Sequence, residues 1–85
     1  MVERFRNDDL GYVRWSNNHP DGFVLHKKSR DFSIHRSQCA HIYEMGADYA
    51  LTRAEKLCGV DREELVRLAV DRTGQRPTLC ETCEP

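Results

Sequence analysis

Two short runs, Phe23-Val24-Leu25-His26-Lys27 and Phe32-Ser33-Ile34-His35-Arg36, decide how this chain is read. Both carry the β-branched and aromatic residues that suit a pleated surface. In the second run Phe32 and Ile34 fall on one side, Ser33 and His35 on the other, the period-two alternation of a half-buried strand. With the polar group Lys28-Ser29-Arg30-Asp31 between them, the two runs predict a β-hairpin with one apolar face.

Working towards the N-terminus, Pro20-Asp21-Gly22 is turn chemistry, with Pro at the second turn position and Gly where the backbone reverses. Asn7-Asp8-Asp9 offers helix caps, so a short helix is expected over residues 8–18, ended by His19-Pro20. On it Leu10, Val13 and Asn17 share a face with Trp15 beside them. Trp15 reads as core, because few large side chains exist to fill one; its rival role, with Tyr12 and Val13, is an exposed docking anchor.

Beyond the hairpin the signals are helical. Thr52-Arg53-Ala54-Glu55 is a capping-box pattern ahead of Leu57-Cys58, with Gly59 as the stop. Asp61 caps a second start, Leu65, Leu68, Ala69 and Arg72 trace one side of that helix, and Gly74 ends it. The expected class is α+β: an N-terminal helix, a hairpin, two helices and a short C-terminal knuckle, all within one domain over 1–85.

The chain has 85 residues, 39% of them hydrophobic and 32% charged, with a net charge of −1. So small a core supplies only a few kcal/mol. No apolar run approaches the roughly 18 residues of a membrane span, and MVERFRNDDL is charged where an export signal would be apolar, so a cytoplasmic, soluble protein is expected. Residues 1–42 hold seven Lys/Arg against five Asp/Glu, whereas residues 43–85 hold six against nine. The basic excess gathers in Lys27, Lys28, Arg30 and Arg36, which face Asp31 alone. That cluster is either a solvated hairpin tip or a contact for nucleic-acid phosphate.

Cysteine and histidine spacing carries the chemistry. Cys80-Glu81-Thr82-Cys83 is a C-x2-C pair, whose two thiolates can turn towards one metal. His35 and Cys39 form an H-x3-C pair at the exit of the second predicted strand. Together they make three thiolates and one imidazole, a closed structural Zn²⁺ set with no position for a catalytic water. Cys58 or His41 could replace His35 as fourth ligand, although Cys58 between Leu57 and Val60 reads most simply as a buried thiol. A redox reading of the C-x2-C pair needs a helix to follow it, and none can start so near Pro85.

The arrangement H-R-x-x-C, then G-x-R-P-x-x-C-x-x-C-x-P, resembles the metal-binding domain of Ada-type DNA methylphosphotriester repair proteins and the small stand-alone zinc domains related to it. His35, Arg36 and Cys39 match the first element; Gly74, Arg76, Pro77, Cys80, Cys83 and Pro85 match the second. The chain departs in the 40 residues between its pairs, in Thr78-Leu79 ahead of Cys80, and in His35 at the place of the methyl-accepting cysteine. The resemblance implies zinc binding and a connection with nucleic acid. A neutral imidazole cannot accept a methyl group as a zinc thiolate does, so it argues against methyl-transfer repair.

The expectation is therefore a non-catalytic, zinc-stabilised module that contacts nucleic-acid phosphate through Lys27, Lys28, Arg30 and Arg36. A protein-docking adaptor is the alternative, and a single-turnover alkyl acceptor at a zinc thiolate is the enzymatic one. No small-molecule substrate and no membrane association is expected.

Overall fold

The computed structural model describes residues 2–27, 31–39, 55–81, 83 and 85. Among these are five strands, β1 (Glu3–Phe5), β2 (Phe23–Lys27), β3 (Phe32–Arg36), β4 (Lys56–Gly59) and β5 (Thr78–Leu79). Two helices, α1 (Asp9–Asn18) and α2 (Arg62–Thr73), complete the α+β fold. The strands form one sheet in the order β1-β4-β2-β3-β5, antiparallel except for the β3–β5 pair.

Register explains where every side chain goes. Directly opposed residues share a face, so Leu25, Ile34 and Leu57 line one side of the sheet while Val24, His35 and Cys58 line the other. Helix α2 covers the first side. Its Leu65, Val66 and Ala69 pack with Leu25, Phe32, Ile34 and Leu57 into an apolar cluster, each large side chain contributing about 1.5–3 kcal/mol. Asp61 caps α2 by accepting the Glu63 and Glu64 N–H groups, and Gly74, at φ 76°, ends it in the left-handed region.

Helix α1 covers the opposite side, capped by Asp8, whose carboxylate accepts the Gly11 N–H at 3.0 Å. Its buried residues are Tyr12, Trp15 and Ser16, of which the two aromatics pack with Val24 and Cys58, whereas Leu10 is 70% exposed. The expected face through Leu10, Val13 and Asn17 is thus rotated by the pull of the two aromatics. Gly22 is required by space: a Cβ there would stand 2.7 Å from the Trp15 ring.

The stretch expected to close a helix at Gly59 is instead strand β4, inserted between β1 and β2. Thr52-Arg53-Ala54, which carry the capping pattern, lie outside the described residues. All four residues of β4 are buried, and its pairing on both sides outweighs a local helical preference. Glu55, just before it, accepts from Arg4 at 2.7 Å and from Arg72 at 3.0 Å, tying β1 and α2 to the start of β4. Among the described residues, no helix is long and apolar enough to cross a membrane.

Candidate metal centre

The end of β3 and the segment after β5 meet on the α1 side of the sheet. His35 sits on β3 and is 4% exposed. The chain then turns, with the Cys39 N–H donating to the Arg36 carbonyl at 3.0 Å, which brings Cys39 back beneath the sheet. From the other direction β5 runs parallel to β3, and the Cys80 N–H donates to the Ile34 carbonyl at 3.1 Å. That bond sets Cys80 beside His35. Cys83 is held by Arg36 twice: the Arg36 backbone N–H donates to Cys83 Sγ at 3.2 Å and its Nε to the Cys83 carbonyl at 2.9 Å.

As a result the ligand atoms of His35, Cys39, Cys80 and Cys83 lie within 4.8 Å of one another, and Cys39 Sγ is 3.8 Å from Cys80 Sγ. All four cysteines of the chain are free thiols. This group of one imidazole and three sulfurs could hold a metal ion.

Helix α1 buttresses the turn that carries Cys39. The Ser37 carbonyl accepts from Ser16 Oγ at 2.7 Å and from the Tyr12 hydroxyl at 3.3 Å. Ser37 Oγ donates to the His19 carbonyl, and Gln38 Nε2 donates to the Ser16 carbonyl and hydroxyl. Ser16 and Ser37 are fully buried, so these bonds form where water cannot replace them. Behind His35, Ser33 Oγ lies 3.1 Å from Nε2. In the tautomer whose Nε2–H donates to Ser33, Nδ1 keeps its lone pair for a metal. Sequence spacing found the four candidate ligands but missed these supports. The Ser33/His35 alternation on β3 held the signal for one of them.

Burial pushes the Cys83 thiol up to about 12; the adjacent Cys39 and Cys80 add to the rise, and only the Arg36 N–H opposes it. A divalent ion would reverse that balance at Cys83 by binding its thiolate directly.

Cys58 is fully buried and stands outside the group, because Val24 lies between it and His35 on neighbouring strands. Two strand spacings put it about 10 Å from the histidine at the backbone. Burial holds its thiol at about 12, that of an inert core residue. His41 lies outside the described residues, as do Lys28 and Arg30. Lys27 rests its ammonium 4.8 Å above the Phe32 ring, and Arg36 is exposed but spends its Nε on Cys83. Tyr12 and Trp15 are buried, with 0% and 7% of their surface accessible, which is the core reading for Trp15 and not the exposed anchor. Compared with protein family models, with curated proteins and with solved structures, the chain matches none.

Proposed function

We propose that this chain is a non-catalytic zinc-binding module in which His35, Cys39, Cys80 and Cys83 surround one Zn²⁺. The observation that carries the reading is the convergence of these four residues, with a Cys39–Cys80 sulfur separation of 3.8 Å. A tetrahedral zinc with Zn–S bonds of about 2.3 Å sets its sulfurs roughly 3.8 Å apart. Four protein ligands leave no open position for a substrate or an activated water, so the ion's role is to join elements. It would tie β3, the turn after it and the segment following β5 into one unit.

Metal content with a thiol count before and after chelation tests this. One zinc per chain is expected, with the three ligand thiols counted by an alkylating reagent after chelation and not before it. His35→Ala should weaken zinc retention, while Cys58→Ala should cost packing alone; the reverse pattern would mean that Cys58 supplies the fourth ligand. A well-folded chain that binds no zinc would end the proposal.

Contact with nucleic-acid phosphate through Lys27, Lys28, Arg30 and Arg36, and kinship with the Ada-type metal-binding domain, are separate proposals supported by sequence pattern. Binding to DNA or RNA that weakens steeply between low and moderate salt would support the first. Binding that is absent at low salt would favour a protein partner.

A further inference from the structure

The three sulfurs of the cluster differ in surroundings. Cys39 is 3% exposed and lies beneath the sheet. Cys83 is half-buried, and its Sγ accepts the Arg36 N–H, a bond that draws charge from the sulfur. Cys80 is half-buried as well, but it also lines an open hollow of about 280 Å³ with Leu79, Glu81 and Pro85. A small neutral oxidant can reach Cys80 through that hollow. Cys39 Sγ lies 3.8 Å from it and must close by under about 2 Å to reach disulfide length, while Cys83 Sγ, also within 4.8 Å, is held by the Arg36 N–H.

We infer that Cys80 and Cys39 are a peroxide-sensitive pair, with Cys80 oxidised first and Cys39 resolving it into a disulfide that expels the metal. The inference rests on the zinc reading above for the release step alone. The Cys80 thiolate attacks one oxygen of hydrogen peroxide and breaks its O–O bond. Cys80 becomes a sulfenic acid, and the departing hydroxide takes a proton to become water. The Cys39 thiolate then attacks the Cys80 sulfur, the S–O bond breaks, and a second hydroxide leaves as water. In sum two thiols are oxidised by two electrons, one peroxide is reduced to two waters, and zinc loses two of four ligands. Cys58, fully buried two strands away, takes no part.

The experiment treats the zinc-loaded full chain with hydrogen peroxide, follows release with a chromogenic chelator and maps the product by mass spectrometry. The expected product is lighter by two hydrogens and carries a Cys39–Cys80 bridge. One zinc is freed per bridge, Cys58 is still alkylatable after unfolding, and dithiothreitol restores zinc binding. In Cys58→Ala the same bridge should form. In Cys80→Ser, which also lacks a zinc ligand, the readout is Cys39 alone, and its oxidation by peroxide should lag behind that in the parent. A bridge joining Cys83 to either partner, or oxidation that stops at sulfinic acid on Cys80 with no bridge, overturns the inference. A chain that holds no zinc defeats the earlier reading only, since bridge mapping on that chain still tests the pair.

Discussion

The two faces of the sheet are built by different means. Under α2 the buried cluster is apolar: Leu25, Phe32, Ile34 and Leu57 meet Leu65, Val66 and Ala69. Under α1 the buried set mixes Tyr12, Trp15, Val24 and Cys58 with Ser16, Ser33, His35, Ser37 and Lys56. Burying polar groups costs free energy unless they are bonded, so this side is held by hydrogen bonds and, on the zinc reading, by an ion. The contrast teaches that a small chain can close one face by apolar packing and build the other from aromatics, buried polar groups and a metal-ligating cluster.

Metal removal should break the comparison most sharply. Structural zinc contributes on the order of 10 kcal/mol in small domains, so chelation should cost more stability than any single substitution. With sub-stoichiometric chelator, hydrogen exchange should show the loss first at Ser37, Cys39 and Cys80, in the segments that carry the ligands, and later at the α2 amides. Uniform loss across both faces would mean that the faces are not separable.

The apolar face has its own test. Leu57→Ala should cost about 2–5 kcal/mol by leaving a cavity beneath α2, with zinc affinity little altered. Titration calorimetry that found affinity and stability falling together would contradict the division. Gly22→Ala acts on the other face. Its new methyl meets the Trp15 ring, so a loss of about 1–3 kcal/mol is expected, accompanied by a shift in Trp15 fluorescence.

Smaller effects come from the ends of α2 and its anchor. Asp61→Ala removes the cap of α2 and should cost about 1 kcal/mol in denaturant unfolding. Burial raises the Glu55 carboxyl, but hydrogen bonds from Arg4 and Arg72 outweigh it and hold the group below its ordinary value of 4.5. A lowered carboxylate stabilises the fold above the unfolded value, and that contribution fades as pH falls through the folded one. Glu55→Gln should therefore lose at most about 1 kcal/mol near neutrality and flatten the acid side of the stability profile. An unchanged acid limb would show that the triad contributes nothing.

Legibility in the sequence followed periodicity. The runs 23–27 and 32–36 are strands β2 and β3 because alternation and turn chemistry agree there. Asp61 and Gly74 bound α2 because caps act locally. By contrast β1 and β5, at three and two residues, are too short for any period to register. Strand β4 was hidden because it is buried on both faces, so it shows no alternation, and a capping pattern precedes it. The spacing of His35, Cys39, Cys80 and Cys83 named the group that the fold brings together. Nothing in the spacing, however, could show Val24 standing between His35 and Cys58, which follows from strand order.

X-ray absorption at the zinc edge puts the whole interpretation to its hardest trial. Three sulfur neighbours at about 2.3 Å and one nitrogen at about 2.0–2.1 Å are predicted, with the nitrogen lost in His35→Ala. A shell of four sulfurs, or one containing water oxygen, would contradict it.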